Sequence, residues 1–498
     1  MTLPSVEGFT RLTDSAVAAL HEGLVRGGFT ADVIDQVDHI ATGASGQVRL
    51  PLVRGRLHQR NEPGMRLALL LTYGGAIERS EVDGLFGAEA VGALLDAGVF
   101  VPHGGKVRCP FRVVPAESIW VLADDILDQL DSVMPPGPTT QVLTRLMGES
   151  NPGSVLDVGC GPGSMALAAA RSGAARAVGV DINARAITMA RFNARLNRLP
   201  AEFRTGDLLE PVRGERFDLI VAQPPFIMRP AEVTEVTFLH GGPRGDAIVF
   251  RLLHGLAEAL TPKGEALVLS DVGLKQDEDL GQYLAGQIGA CGLDALVLHL
   301  AGLPPESHAL IYAKHGSAET GPEYLKEVQR YFSHLESLGI QQFRHALFVA
   351  SRAAPDAREV VFTPLPVRDF APCSAGVRTR LRECVAGSSL PDADLLRSRV
   401  RVAPGAEWMS IRGAPEGEQR EHRVRFDPTW PALEQIVTDE GLMLASLLQR
   451  SDTVAEAIAG YAELCESTPA EVRTPLLAYI RQSLLGLMLV IEENGVAR

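Results

Sequence analysis

The chain has 498 residues, 46% of them hydrophobic and 22% charged, a size and composition that suit two to four globular domains with full-sized cores. Its formal charge of −14 disfavours tight, unspecific binding of nucleic acid, which rests on cationic contacts with phosphates; a small molecule, peptide or protein is the better-matched substrate. No run of 18 apolar residues could cross a membrane, Met1–Glu7 lacks the basic and apolar regions of a signal peptide, and six scattered cysteines without Cys-x-x-Cys fit free thiols rather than zinc ligands, so a cytoplasmic protein with no metal is expected.

Residues 1–135 read as an N-terminal module. Apolar spacing predicts helices over Thr10–Leu24 and Thr30–Val37, then three short ones over Met65–Leu71, Glu78–Leu85 and Glu89–Ala97. A hairpin of Val99–Pro102 and Val107–Val114, joined at Gly104-Gly105, follows. Three helices and a hairpin in this order make the winged-helix pattern. The third helix holds no lysine or arginine and carries Glu89 and Asp96, whereas groove readers need cationic and amide side chains. A protein contact or a substrate lid suits it better. The strand Ile119–Leu122 leads to an acidic tip, Asp124-Asp125, and Met134–Pro138 forms a linker to a helix over Thr139–Met147.

The stretch Val155-Leu156-Asp157-Val158-Gly159-Cys160-Gly161-Pro162-Gly163 carries the most information. Its apolar residues read as a buried parallel strand and its glycines as the turn that ends it. Gly159, Gly161 and Gly163 let the backbone approach a ligand closely, and a helix opens at Met165–Arg171. A dinucleotide turn wants Gly-x-Gly-x-x-Gly. Here the third glycine comes one residue early, and Ser164 stands where that pattern wants glycine. Asp157 suits a cationic ligand better than a diphosphate. The second strand, Ala177–Val180, ends at Asp181, 20 residues beyond Gly161, the spacing at which a carboxylate reaches ribose hydroxyls. After a helix to Leu196 comes Phe203-Arg204-Thr205-Gly206-Asp207-Leu208, and then the strand Phe217–Ala222, which runs into Gln223-Pro224-Pro225-Phe226. Two prolines cannot donate to a ladder and must end that strand. They hold Gln223 and Phe226 at its carboxyl edge, where open α/β sheets bind ligands.

These segments resemble motifs of the class I S-adenosylmethionine-dependent methyltransferases, and Gln223-Pro224-Pro225-Phe226 is similar to the (Asn/Asp/Ser)-Pro-Pro-(Tyr/Phe) motif of the HemK-type N-methyltransferases. The resemblance implies that S-adenosylmethionine is the cofactor. Asp157 and the turn Gly159, Cys160, Gly161 and Gly163 would lie against its methionine part, Asp181 with Ile182 against the ribose, and Asp207 with Leu208 against the adenine. Gln223, Pro224, Pro225 and Phe226 would hold a planar acceptor nitrogen, with hydrogen-bond acceptors on its protons and the aromatic ring on its plane. Gln223 departs from the family pattern: it keeps an amide carbonyl but adds one methylene and one torsion to asparagine. His240-Gly241-Gly242-Pro243-Arg244-Gly245-Asp246 is similar to the Gly-Gly-x-x-Gly segment that enters a helix beside the substrate pocket in this family. His240 itself reads as a solvated loop residue.

The implied architecture is α/β: a Rossmann-like, seven-stranded methyltransferase domain over residues 139–352, between the winged-helix-like module and a C-terminal α+β accessory domain over residues 353–498. In the catalytic part Ala247–Leu260 reads as a helix, Glu265–Ser270 and Ala295–Leu300 as strands, Tyr324–Leu338 as a helix, and Phe343–Ala350 as a final antiparallel strand. Farther on, Val377–Cys384 looks helical and Arg399–Ile411 and Glu421–Phe426 look like strands. The tail predicts helices over Leu433–Ile436, Leu442–Leu448, Val454–Leu464 and Pro475–Val490, with Pro475 in a first turn. The apolar stripe of the last helix reads as core, with a homo-oligomer interface as the alternative. Transfer of a methyl group to an amide, amino or heterocyclic nitrogen is the leading expectation. An O- or N-methyltransferase tailoring a small natural product, and a non-catalytic module that binds the cofactor, are the alternatives.

Overall fold

The computed structural model describes residues 2–39, 46–116, 118–125, 128–148, 153–289, 291–313, 321–353, 362–412 and 420–492. The chain divides into two compact units: Met1–Thr144, Ser150–Asp294 and Gly302–Val361 form the first, and Arg145–Glu149, Ala295–Ala301 and Phe362–Arg498 the second.

The first unit begins with helices α1 (Asp14–Arg26), α2 (Ala31–Asp38) and α3 (Gly46–His58). Thr13 caps α1 by accepting from the Ala16 N–H at 3.2 Å. Helix α3 escaped prediction because Pro51 lies inside it, and proline removes an amide donor from a helix interior. Helix α4 (Pro63–Leu67) runs into a π-type turn, Ala68–Thr72, instead of one continuous helix. Strand β1 (Ala76–Glu78), helices α5 (Arg79–Phe86) and α6 (Ala88–Asp96), and strands β2 (Val101–His103) and β3 (Lys106–Arg108) complete a small antiparallel sheet in the order β1-β3-β2. The strand expected over Val107–Val114 is cut at Pro110. Beyond it β4 (Phe111–Ala116) pairs with β5 (Ile119–Asp124) as a separate hairpin.

Helix α7 (Pro138–Met147) leads to the alternating part: β6 (Ser154–Val158), α8 (Ser164–Arg171), β7 (Arg176–Asp181), α9 (Ala184–Asn197), β8 (Glu202–Thr205), β9 (Phe217–Ala222), α10 (Ala247–Ala259) and β10 (Leu260–Lys275). Then come α11 (Leu280–Ile288), β11 (Leu293–His299), α12 (Pro305–Tyr312), α13 (Pro322–Leu338) and β12 (Ile340–Arg352). In the first unit the sheet runs β12-β10-β9-β6-β7-β8. All its pairs are parallel except β10 with β12, which run antiparallel from Glu265↔Ser351 onward. The strand order reverses at β6, flanked by β7 and β9, so the crevice of a doubly wound sheet opens at the carboxyl end of β6. Val155, Leu156 and Val158 are wholly buried there.

The N-terminal hairpin is fastened to this sheet by asparagines. Asn193 accepts from the Leu122 N–H and donates to its carbonyl, both at 2.9 Å, and Asn197 does the same for Trp120 at 2.8 and 2.7 Å. One helical turn apart on α9, the two carboxamides act as a partner strand for the edge of β5. Asp124, expected at an exposed acidic tip, is instead fully buried. It takes Arg185 Nε at 2.9 Å and the Val133 N–H at 2.9 Å.

In the second unit, Ala295–His299 of β11 pairs in parallel with β13 (Phe362–Pro366). Helices α14 (Ala375–Ser388) and α15 (Asp392–Arg397) precede β14 (Arg399–Val402), β15 (Glu407–Arg412), β16 (Arg420–Arg425) and β17 (Gln435–Val437). The single strand expected over Arg399–Ile411 is broken where Pro404 meets Gly405, whose φ is +69°. Gln435 and Ile436, expected in a helix over Leu433–Ile436, lie with Val437 in an edge strand on β16. Helices α16 (Asp439–Leu448), α17 (Val454–Leu464) and α18 (Pro469–Leu485) follow, and then β18 (Leu489–Glu492), which pairs with β14. Helix α18 therefore starts at Pro469 under a Thr468–Glu471 capping box, with Pro475 in its interior. Among the described residues, no helix is long and apolar enough to cross a membrane.

Candidate functional site

The glycine turn after β6 is held from the side. The Gly159 and Cys160 N–H groups both donate to the Val180 carbonyl, at 2.8 and 3.0 Å, and the Gly161 N–H donates to Asp181 Oδ2 at 2.8 Å. The three glycines have φ of +73°, +51° and +88°, a region that side-chain-bearing residues resist. A Cβ on Gly159 or Gly161 would meet no atom within 4 Å, so these two face open space; on Gly163 it would strike the Phe203 ring at 2.8 Å. The first two glycines clear room for a ligand, and the third permits packing.

Asp157 lies fully buried beneath the turn. Its Oδ2 accepts from the Ala166 N–H at 3.0 Å and so caps α8, whose N-cap, Gly163, has no side chain to do it. Its Oδ1 has no hydrogen-bond partner, and neither does the buried Ser164 Oγ. Burial pushes the Asp157 carboxyl up to about 7, against the Ala166 N–H, which pulls it down. A buried acceptor and a buried hydroxyl left unmade beside an open turn fit a ligand bearing an ammonium and a carboxylate, since such groups otherwise carry a desolvation cost. Ser164 had figured in the sequence only as a departure from the dinucleotide pattern; its place as the first helical residue after the turn was the usable signal.

Asp181 closes β7. Besides Gly161 it accepts the Asn183 N–H on Oδ1 at 2.8 Å, and each oxygen retains a lone pair. Burial raises its carboxyl as well. Ile182 beside it is exposed. Cys160 spends its N–H on the Val180 carbonyl of β7 and its own carbonyl on the Gly163 N–H, and lies with Phe203, Ile187 and Ala190 in the core, so it shapes the turn and offers no backbone polar group outward. Asp207 is engaged by Arg251, whose Nη2 donates to both carboxylate oxygens at 2.7 and 2.6 Å. Leu208 follows with φ of +48°. These two stand at the end of β8, and a ligand at that point would share Asp207 with Arg251.

Gln223 emerges from β9 half-buried, and its Nε2 donates to Thr139 Oγ1 at 2.6 Å. Phe226 is nearly buried. The segment around the prolines is fixed by the glycines downstream: the Ile227 N–H donates to the Leu239 carbonyl, the Gly241 N–H to that of Ile227, and the Arg229 N–H to that of Gly242. A Cβ on Gly241 would lie 2.0 Å from the Gly245 carbonyl oxygen and 2.5 Å from that of Pro225; on Gly245 it would lie 2.4 Å from that of Phe226. Only glycine permits this approach. His240 is not solvated: it is buried, accepts the Val236 N–H on Nδ1 at 3.0 Å and so carries its proton on Nε2, 2.9 Å from the Tyr331 hydroxyl. Arg244 donates to Asp246 and to the Tyr283 hydroxyl at 3.1 and 2.9 Å, bracing the entry to α10.

Between the hairpin and α7, consecutive carbonyls reach the two strands that flank β6. Asn183 Nδ2, after β7, donates to the Asp131 carbonyl at 2.9 Å, and the Thr237 N–H, after β9, donates to the Leu130 carbonyl at 3.1 Å. A second polar group lies near the carboxyl end of β10. Asp271 Oδ1 is 2.5 Å from His345 Nδ1, and Asp271 Oδ2 is 3.7 Å from His308 Nε2. His308 is wholly buried, stacks on Phe343 at 3.7 Å, and has no hydrogen bond on either ring nitrogen. Burial lowers it to about 4, with Asp271 pulling the other way. The polar pair Ser270-Asp271 inside an apolar strand was the sequence signal for it. Among the described residues no cluster of His, Cys, Asp or Glu is arranged to hold a metal.

Residues 135–286 match the family described as methyltransferase small domain. A protein of Methanocaldococcus jannaschii named as a protein N5-glutamine methyltransferase is 35% identical over 119 residues, which is 23% of this chain and 60% of that protein. The release factor glutamine methyltransferase of Moorella thermoacetica is 32% identical over 205 residues, 39% of this chain and 65% of that protein. The crystal structure of the ribosomal protein L11 methylase from Lactobacillus delbrueckii subsp. bulgaricus covers 47% of this chain and 84% of its own, with 21% identity and a TM-score of 0.27. The chain spans less than two thirds of the length of these curated relatives.

Proposed function

We propose that this chain, whose central segment is a class I methyltransferase domain of the HemK type, transfers the methyl group of S-adenosylmethionine to the side-chain carboxamide nitrogen of a glutamine in a peptide or protein. The observation that carries the reading is the pair of unmade buried groups, Asp157 Oδ1 and Ser164 Oγ, beside the glycine turn and one strand away from Gln223-Pro224-Pro225-Phe226. Bound S-adenosylmethionine supplies a methyl group on a sulfonium, open to in-line displacement. Asp157 and Ser164 would hold the amino-acid end, Gly159 and Gly161 leave it room, and Asp181 would accept from the ribose hydroxyls, charge-assisted bonds stronger than neutral ones.

The acceptor edge works by position. A carboxamide nitrogen shares its lone pair with its carbonyl, so acceptors on its two protons help free that pair toward the methyl. Gln223 Oε1 is one such acceptor. The Pro224 carbonyl is the other, because that of Pro225 is packed under Gly241. Phe226 would lie on the plane of the amide. Holding the nitrogen in line replaces a bimolecular encounter, which can supply a large part of the barrier reduction.

In the same reading α4, β1, α5, α6, β2 and β3 form a winged helix that contacts a protein surface, in keeping with an α6 that lacks lysine and arginine. The second unit serves as an accessory domain, and the protein acts in the cytoplasm. The test is methyl-tritiated S-adenosylmethionine incubated with the purified protein and separated pools of protein, nucleic acid and small molecules. Label in protein, recovered as N-methylglutamine after proteolysis, is the expected result. Label only in nucleic acid or in the extract would replace glutamine with a base or a metabolite, and no label in any pool would leave a cofactor-binding module.

A further inference from the structure

Gln223 stands where the related motif has a shorter residue, so its carboxamide has a further torsion to control. A free carboxamide could present either its carbonyl or its NH2 to a substrate, and only the carbonyl accepts a proton. In the structure one end of the carboxamide is engaged. Gln223 Nε2 donates to Thr139 Oγ1 at 2.6 Å, at the short end of N–H···O distances. Thr139 lies in the first turn of α7, next to Pro138; its branched Cβ restricts χ1 in a helix, so the hydroxyl has few positions. With the nitrogen engaged, Oε1 is the end of the amide left for another molecule.

We infer that Thr139 is a positioning residue that turns the Gln223 carbonyl toward the acceptor and so makes this edge select a substrate with an N–H to donate. This rests on the reading of Gln223 as the residue that meets the substrate nitrogen. The hydroxyl compensates for the added methylene of glutamine: it fixes the far end of the longer side chain. A site built around a hydrogen bond discriminates strongly against groups that cannot make it, so an ether or an ester oxygen would gain nothing from Oε1.

Two measurements test this. The first needs no substrate. In protein 15N-labelled at glutamine side chains, the Gln223 amide pair is assigned by its loss in Gln223→Glu. Thr139→Val should shift that pair and speed its exchange with solvent at least 5-fold, while Thr139→Ser keeps both near the parental values. An unchanged pair in Thr139→Val overturns the anchor.

The second follows methyl transfer from tritiated S-adenosylmethionine to an unstructured peptide carrying one glutamine. Thr139→Val should lower kcat about 30-fold, within the range that a misplaced reactant costs. KM should change little, S-adenosylhomocysteine affinity should stay within 2-fold, and Thr139→Ser should stay within 3-fold of the parent. In a Gln223→Ala background the same change should cost less than 2-fold, since coupled residues are not additive. Parental kcat in Thr139→Val, or losses that multiply in the double variant, would sink the positioning role. If the parent transfers no label to the peptide, the glutamine reading fails, while the amide spectrum still decides whether the anchor exists.

Discussion

The two edges of the crevice are built by different means. On the cofactor side, side chains add to the backbone bonds that tie β6 and its turn to β7. Asp181 receives the Gly161 N–H, Asp157 receives that of Ala166, and Asn193 Nδ2 reaches the Pro162 carbonyl at 2.9 Å. On the proposed acceptor side, after β9, backbone packs on backbone, with Gly241 and Gly245 pressed against the Pro225 and Phe226 carbonyls. Side-chain carboxylates can leave oxygens unmade in wait for a ligand, as Asp157 does. Close-packed backbone leaves little room for movement, and the Gln223 amide beside it is tied to Thr139. The first arrangement suits a charged, many-handed ligand, and the second suits one nitrogen held at one distance.

The difference is sharpest when the packed edge is broken. Gly241→Ala puts a methyl 2.0 Å from the Gly245 carbonyl oxygen, so the loop must move by an ångström or more. Misplacement on that scale costs about 100-fold or more in rate. Methyl transfer should fall by at least that much, while S-adenosylhomocysteine binding, read by calorimetry, stays within about 3-fold. Equal losses of both would mean that the edges are one cooperative unit and that the contrast is false.

The cofactor edge should respond to pH instead. A ligand ammonium beside Asp157 favours the ionised carboxylate, whose folded pKa of about 7 lies above the ordinary value of 3.8. Binding below pH 7 must therefore expel a proton. Affinity for S-adenosylhomocysteine should weaken by about 30-fold between pH 8 and pH 5.5, roughly tenfold per unit below the pKa. Asp157→Asn should bind more weakly at pH 8 and show a nearly flat profile. A parental profile in that variant would place the ammonium elsewhere.

What could be seen in the chain beforehand followed what is local. The strand over Val155–Val158, the positive-φ glycines and Asp181 at its spacing from Gly161 each depend on a few consecutive residues, and β6, the turn and β7 lie as expected. Features that depend on distant partners did not show. Asp124 looks like a loop acid until Arg185 from α9 meets it, His240 looks solvated until α13 brings Tyr331, and Thr139 is an unremarked helix residue until Gln223, 84 positions on, donates to it. The same division explains the C-terminal errors: Leu433–Ile436 has helical spacing, but its Gln435 and Ile436 pair with Val424 and Arg423 of β16, a tertiary gain that overrides the local pattern.

Two buried groups should pull the stability of the ligand-free protein in opposite directions over one pH window. His308, lowered to about 4 from 6.5, binds fewer protons folded than unfolded, so stability is lost as pH falls from 6.5 toward 4. Asp157, raised to about 7 from 3.8, binds more protons folded, so without ligand stability is lost as pH rises from 4 toward 7. His308→Leu should therefore gain about 2 kcal/mol relative to the parent on going from pH 7.5 to pH 5, the linkage of about 1.5 pH units. Asp157→Asn should gain on going the other way. Urea unfolding at the two pH values reads both, and the same sign for the two variants would show that one of the groups is paired in a way its burial does not suggest.

The smallest effect tests whether the connection through Leu130 and Asp131 retards ligand exit. Asn183 has two separable duties: its Oδ1 accepts the Arg185 N–H at 3.0 Å and caps α9, while its Nδ2 holds the Asp131 carbonyl. Asn183→Ser keeps a capping oxygen, since serine and asparagine rank alike at that position, but is too short to reach Asp131. Stability should then fall by no more than about 1.5 kcal/mol, the upper worth of one neutral hydrogen bond. The only bond lost is one neutral hydrogen bond, worth about 0.5–1.5 kcal/mol, which converts to a release of S-adenosylhomocysteine roughly two- to tenfold faster in stopped flow if that bond must break before the ligand leaves. An unchanged release rate would mean that this bond need not break for the ligand to leave, and that the Leu130–Asp131 bridge serves to join the loops after β7 and β9.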